Sequence, residues 1–271
     1  MAPVQTLTFA VADGVDLKGD LYLPEGLGPH PVLVAAPGGA WLRGDKRQLG
    51  HWGRHLAANG FAVFAVDYRR ATAGKIFPKN VQDVMAAARF VHDQAAALSL
   101  DPARIGLLGA SAGAHLTALL ALAEGEPWLD GPTVPFKTLV VAYGVYDLVA
   151  HWQVDLDKNS EPGQDHAVRM LGATPYDDQK LYFDASPIRH VSYANNTLKA
   201  LVIWGADDGD VSPRQSEMFV RALRQARFFV RAIAVPGAGH FWFSEEPIDA
   251  PNSATGKVAP GIVAFLKQHL A

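Results

Sequence analysis

Ser111 lies at the centre of Gly109-Ala110-Ser111-Ala112-Gly113. The apolar run Ile105–Leu108 precedes it, and a helical pattern, Ala114–Ala123, follows. At so sharp a strand-to-helix turn only small flanking residues let the backbone close, and the serine hydroxyl is held clear of the sheet. The helix start behind it directs N–H groups and a positive dipole end at a forming anion. The chemistry this suits is nucleophilic attack on a carbonyl, in which a hydroxyl adds, an oxyanion forms and a base takes the proton. Five residues with three fixed positions are only moderately specific; the strand before and helix after give the pattern its weight.

Such a serine needs oxyanion donors, a base and an acid. The run Val32–Ala36 leads into Pro37-Gly38-Gly39-Ala40-Trp41, where glycines let backbone N–H groups approach an oxygen with no Cβ in the way. The N–H groups of Gly39 and Ala40, with that of Ala112, are the expected donors. His240 is the expected base, because it alone of the ten histidines sits in a loop after the last apolar run, Pro236-Gly237-Ala238-Gly239-His240-Phe241-Trp242. His269 is expected on the surface of a terminal helix. His115 should pack or bond locally on the helix after Ser111. His151, His166 and His190 fall between the serine and the acid, out of the order serine, acid, histidine. Leu201–Trp204 opens into Gly205-Ala206-Asp207-Asp208-Gly209-Asp210-Val211, where three carboxylates compete. One suffices to orient an imidazole. Asp208, midway between Gly205 and Val211, is favoured, ahead of Asp207 and then Asp210.

Trp41, Trp152, Phe241 and Trp242 are expected in or near the mouth of the site, giving an aromatic, apolar pocket for acyl or aryl groups. His51 and His55 have the i, i+4 spacing that can hold a metal on one helix face. The residues between them are Trp-Gly-Arg, with no glutamate and no third ligand in view. They read as two helix-surface histidines, and neither metal nor cofactor is expected.

The elements that must carry these residues alternate. Val32–Ala36, Ala62–Val66, Ile105–Leu108, Leu139–Ala142, Leu201–Trp204 and Phe229–Val235 are near-continuous apolar runs, as in parallel strands buried on both faces. Thr6–Val11 and Leu17–Leu23, joined at Asp13-Gly14, read as an antiparallel hairpin at a sheet edge. Asn80–Ala97 and Val258–Leu270 read as helices, and Asp101-Pro102 as the turn before the next strand. Alternating β and α elements imply a doubly wound sheet with right-handed crossovers. From Asp147 to Ser192 no strand is evident. This stretch holds His151-Trp152, the acidic residues Asp155, Asp157 and Glu161, and helical pieces near Asp165–Leu171 and Tyr176–Phe183. It reads as an excursion above the sheet, so residues 1–271 form one domain with a cap-like segment at about 147–192.

Net charge of −3 gives no electrostatic reason to expect nucleic acid or an anionic membrane. No apolar run approaches a membrane span, and Met1-Ala2-Pro3-Val4-Gln5 has no features of a signal peptide, so a cytoplasmic location is expected. The absence of cysteine removes disulfides, thiolate metal sites and a cysteine nucleophile together.

The residues quoted resemble the α/β-hydrolase esterases. The closer likeness is to the branch of hormone-sensitive-lipase-like esterases, feruloyl and acetyl-xylan esterases and kynurenine formamidases. Gly38-Gly39-Ala40-Trp41 with Gly44-Asp45-Lys46 is similar to that branch's H-G-G-x-W…G-D-K loop. Asp67-Tyr68-Arg69, with Phe77-Pro78 and Asp83, resembles its D-Y-R…F-P…D segment. Asp208, Val211, Gln215 and Ser216 match D-x-x-V-x-x-x-Q-S, which strengthens the choice of Asp208. Gly237–Phe241 resembles the base loop. The likeness runs from about Leu17 to the C-terminus. It implies an α/β-hydrolase fold, with a mostly parallel eight-stranded sheet, helices on both faces and a small cap insertion. It also implies a serine carboxylesterase acting through a Ser-Asp-His triad and an acyl-enzyme, with no cofactor. Two departures stand out. Pro37 replaces the histidine that braces the loop by hydrogen bonds, and Ala40 replaces the third glycine. Oxyanion geometry is where the carry-over is weakest, and tertiary-alcohol esters become less expected substrates.

The expected partner is a small, soluble ester, with association into a homodimer open. An arylformamidase or other amidase would use the same triad. A prolyl-oligopeptidase-type peptidase would want a propeller domain, and a dienelactone-type hydrolase a cysteine. A catalytically silent ligand-binding relative would show the three residues far apart.

Overall fold

The computed structural model describes residues 3–158 and 165–271. Glu161 of the acidic patch and the first two residues lie outside them. Eight strands form one sheet: β1 Gln5–Ala12, β2 Val15–Tyr22, β3 His30–Ala36, β4 Ala62–Val66, β5 Leu100–Ala110, β6 Thr138–Ala142, β7 Lys199–Gly205 and β8 Phe229–Val235. Their spatial order is β1-β2-β4-β3-β5-β6-β7-β8. β2 runs antiparallel to β1 and β4, and every other pairing is parallel. This is the α/β-hydrolase arrangement.

The helices are α1 Gly50–Ala58, α2 Lys79–Asp93, α3 Ala112–Leu122, α4 Leu148–Lys158, α5 His166–Leu171, α6 Gln179–Asp184, α7 Pro213–Gln225, α8 Trp242–Glu245 and α9 Ala254–His269. α2 and α3 pack on each other beside β5, α7 covers β7 and β8, and α9 meets β6 and β7. Central strands sheathed in this way are buried along their whole length, as β4 and β6 are. β8 is the exception to the expected two-sided burial. It closes the sheet edge, so its residues are mostly half-exposed although the run is apolar. The hairpin forms the other edge, as its turn at Asp13-Gly14 suggested.

Several boundaries moved for identifiable reasons. α2 ends at Asp93, because the chain then turns, with Leu98 N–H bonding to the Gln94 carbonyl and Ser99 at a φ of 57°. Asp101-Pro102 does not precede the strand but lies within β5. The register there slips from His30↔Leu100 to Val32↔Ile105, and that bulge accommodates a proline with no N–H to give. Between β6 and β7 the chain makes the expected excursion, as α4, α5, α6 and two short 3-10 turns. Asp165 is the N-cap of α5, accepting from Ala167 and Val168 N–H, rather than its first residue.

The pieces of chemistry collect at one edge. β3, β5, β7 and β8 are parallel, so their C-terminal ends open on the same side, which is where open α/β sheets bind ligands.

Candidate active site

Ser111 follows β5 at φ 53° and ψ −121°, outside the ordinary basins for a residue with a Cβ. Such strain costs about 1–3 kcal/mol and persists only where the surroundings enforce it. Here Ser111 N–H bonds to the Ala142 carbonyl at the end of β6, at 2.9 Å, and the Ser111 carbonyl accepts from His115 N–H in the first turn of α3, at 3.0 Å. A Cβ on Gly113 would collide with the Ala36 carbonyl, which is why the turn needs glycine two residues after the serine.

His240 Nε2 stands 3.0 Å from Ser111 Oγ, and its Nδ1 stands 2.7 Å from Asp208 Oδ2. Carboxylate oxygens only accept, so Nδ1 carries the hydrogen and Nε2 is left to accept from the serine hydroxyl. The other Asp208 oxygen accepts from Asp210 and Val211 N–H, both at 2.9 Å. Both side chains are enclosed, that of His240 3% exposed and that of Asp208 1%. Asp207 and Asp210 are solvent-exposed and do not reach the imidazole. Of the three competing carboxylates, geometry therefore brings only Asp208 to His240. The ring of His240 lies between Tyr143 and Phe241, with centroids at 4.4 and 4.6 Å.

The loop after β3 approaches the serine as three successive residues with positive φ: Gly39 at 124°, Ala40 at 53° and Trp41 at 60°. A Cβ on Gly39 would collide with the Arg43 carbonyl. The Gly39 carbonyl is turned away and accepts from Leu42 and Arg43 N–H, both at 3.0 Å. Among the described residues, the N–H groups of Gly39, Ala40 and Ala112 donate to no backbone carbonyl. They line a cavity of about 280 Å³ together with Ser111 and His240.

The brace lost with Pro37 is replaced. Tyr68 O–H donates to the Pro37 carbonyl at 3.0 Å. Its neighbours fix Tyr68 in turn. Lys46 pairs with Asp67 at 3.1 Å, and the Arg69 guanidinium grips the buried Asp83 carboxylate at 2.7–3.0 Å. Gln215 holds the far side, its Oε1 accepting from Tyr146 and Asp147 N–H at 2.9 and 2.8 Å. The D-Y-R and Q positions thus work as ties between the loops around the serine.

The expected aromatic mouth is corrected in two of its four members. Trp41 and the 42%-exposed Phe241 line the cavity. Trp152 instead lines a separate cavity within the cap, its ring 5.4 Å from that of Tyr176. Trp242 is buried under the site, 5.5 Å from the Tyr143 ring. In their place stand polar residues: Arg43 from the oxyanion loop, His151 and Asp155 from α4, His166 from α5, and Asp210. His151 Nε2 lies 3.4 Å from Asp155 Oδ2, one helical turn on. The spacing of these two residues was in plain view, but α4 itself was not foreseen. Ser111, Gly39 and Phe241 also border a second cavity of about 500 Å³, on the side of Gly44, Tyr143 and Ser244.

Three histidines expected at the surface, His51, His55 and His269, are tied into or packed against their neighbours, and His115 packs as expected but bonds at long range. His51 Nε2 bonds to the Phe243 carbonyl at 2.9 Å, and burial depresses the proton affinity of both His51 and His55, so neither is a free surface side chain. His269 packs between Phe229 and Phe265. His115 is wholly buried and its bonds are long-range: it meets Trp41 and Ala185. Among the described residues, no group of three or more metal-binding side chains converges, and no helix is long and apolar enough to cross a membrane.

With this geometry in place, comparison with known proteins is decisive for the family. The BD-FAE profile matches residues 19–223. The chain belongs to the BD-FAE family. The BD-FAE match runs from the second half of β2 through most of α7, Ser111 and Asp208 included, and ends before His240. Esterase LipC of Mycobacterium tuberculosis is 31% identical over 248 residues, covering 89% of this chain and 59% of that protein. A probable isoprenylcysteine alpha-carbonyl methylesterase of rice, ICMEL1, is 40% identical over 143 residues, covering 49% of this chain and 33% of that protein. The chain spans about half the length of the curated relatives it matches. Among solved structures, a thermophilic esterase of Thermogutta terrifontis superposes with a TM-score of 0.80 at 24% identity, over 98% of this chain and 92% of that one, and shares the fold. These matches agree with the esterase resemblance read from the sequence.

Proposed function

We propose that this chain is a serine carboxylesterase that hydrolyses small carboxylic esters through an acyl-enzyme. The observation that carries the reading is the unbroken contact from Ser111 Oγ to His240 to Asp208, at 3.0 and 2.7 Å, at the mouth of a cavity. His240 takes the proton as Ser111 Oγ bonds to the ester carbonyl carbon. The oxyanion is held by the N–H groups of Gly39, Ala40 and Ala112. His240 then protonates the departing alcohol, and water, deprotonated by the same imidazole, releases the acid. Asp208 keeps the ring oriented and stabilises the imidazolium. No step calls for a cofactor.

The polar lining of the cavity supports small substrates. The Arg43, His151, Asp155 and Asp210 wall would desolvate poorly against a long alkyl chain. Named esterases among the relatives, LipC foremost, support the same reaction class.

Initial rates on p-nitrophenyl acetate through decanoate, for the native chain and Ser111→Ala side by side, test it. The expected result is a maximum at short acyl chains and a loss of at least about a thousand-fold in the variant. Equal rates in both proteins would remove Ser111 from the mechanism. Turnover of N-formylkynurenine but of no ester would shift the reading to an arylformamidase.

A further inference from the structure

Trp41 is the last of the three positive-φ residues of the oxyanion loop, and its indole is 2% exposed. Its Nε1–H donates to His115 Nδ1 at 3.0 Å, with the two rings edge to face, centroids 5.2 Å apart. The other imidazole nitrogen, Nε2, lies 2.8 Å from the carbonyl of Ala185, the residue that ends α6 in the cap. His115 itself stands in the first turn of α3, and its N–H bonds to the Ser111 carbonyl. One residue therefore meets the oxyanion loop and the cap through its imidazole and the serine turn through its backbone N–H.

The donors and acceptors leave a single solution. An indole N–H can only donate and a carbonyl can only accept. Nδ1 must then be bare and Nε2 must carry the hydrogen, so the ring is the neutral Nε2–H tautomer. A second proton would set Nδ1–H against the indole N–H inside a dry core. Burial opposes that proton too, holding the ring's affinity down to about 4. The facing titratable group is His151 of α4, whose ring lies 6.3 Å from that of Trp41.

We propose that His115 is a positioning residue: its neutral imidazole fixes the Trp41 indole, and through it the N–H groups of Gly39 and Ala40, while docking the cap on the serine turn at Ala185. The proposal rests on the esterase reading above. It also accounts for a loop whose backbone is costly at two consecutive positions, Ala40 and Trp41. Strain of that kind needs an enforcing contact, and this one is adjacent to the donors, buried, and free of competition from water.

The test uses the full chain with His115→Leu, His115→Gln and Trp41→Phe, singly and as the Trp41→Phe/His115→Leu pair. Displacement of oxyanion donors acts on the transition state, so His115→Leu should lower kcat on p-nitrophenyl acetate about 10- to 100-fold while KM moves less than about threefold. Trp41→Phe should do the same, and the pair should lose no more than the worse single variant, because both remove one bond. Glutamine, which can accept and donate at once, should recover at least about half of the logarithmic loss. A second readout needs no turnover. In the native chain the Trp41 indole N–H resonance should exchange with water at least about a hundredfold more slowly than in His115→Leu. Full kcat in His115→Leu, independent losses in the pair, or unchanged indole exchange would overturn the proposal. A native chain with a protected indole and no ester turnover would instead contradict the esterase reading and leave the bond standing.

Discussion

One wall of the cavity at Ser111 is backbone and the other is side chain. The sheet-side wall consists of the amides of Gly39, Ala40 and Ala112, held by strand ends and by positive-φ residues. The cap-side wall consists of His151, Asp155 and His166 on helices that belong to no layer of the sheet. Amides set by the central strands cannot be replaced by mutation, only displaced. The cap's side chains can change without touching the sheet. The cap is fastened to the rest of the molecule by Gln215 to Asp147, by Ile76 and Phe77 N–H to the Met170 carbonyl, by Ile188 N–H to the Tyr146 carbonyl, by Arg169 to the Thr72 carbonyl, and by His115 to Ala185. Such a division lets one reaction be retained while the substrate wall varies.

The contrast can be broken most sharply at Asp208. Asp208→Asn should lower kcat by about 10³–10⁴, since the amide offers the wrong partner to Nδ1–H, whereas Asp207→Asn and Asp210→Asn should each stay within about threefold of the native rate. If Asp207→Asn were the damaging change, the assignment of the sheet-side machinery would be wrong. Next comes the cap. Trp152→Ala should cost about 3–4 kcal/mol of stability in urea unfolding, the usual loss for a buried tryptophan, with kcat changed less than about threefold. A large kcat effect without a stability effect would return Trp152 to the substrate site.

A third prediction concerns pH. His115 has its affinity lowered from the ordinary 6.5 to about 4. Between those values the unfolded chain binds a proton that the folded chain refuses, so stability is full above about 6.5 and falls as pH drops toward 4. The difference corresponds to about 3 kcal/mol. His115→Leu should therefore flatten the acid limb of a stability-against-pH curve by about that amount, and parallel curves for the two proteins would rule this out. Smallest of all, Ala40→Gly should relieve a φ of 53° and raise stability on the order of 0.5 kcal/mol, the strain relieved exceeding slightly the entropy added to the unfolded chain.

Sequence made the sheet-side wall legible because its signals are local. A small-residue turn after an apolar run, a glycine-rich loop after another, and a histidine loop after the last strand each announce themselves within ten residues. Asp208 needed geometry, since three carboxylates in four residues share the same local signal. The cap-side wall was hidden for a different reason. Whether Trp152 faces the serine or the cap interior depends on how α4 docks, which no periodicity encodes. The bond between Trp41 and His115 joins residues 74 apart, and the bond between Tyr68 and the Pro37 carbonyl joins residues 31 apart, so the departure at Pro37 was visible while its compensation was not. α7 is the one avoidable omission. Phe219, Val220 and Leu223 are buried at helical spacing after the Ser212-Pro213 start.

The central claim is that Ser111 carries the acyl group between two steps. Rapid quenching of the native chain with p-nitrophenyl acetate, followed by intact-mass analysis and peptide mapping, tests it directly. The account predicts one acetyl group per chain, on the peptide that holds Ser111, appearing at the rate of the p-nitrophenol burst and absent in Ser111→Ala. Steady turnover with the acetyl group on another residue, or with the same burst in Ser111→Ala, would contradict it.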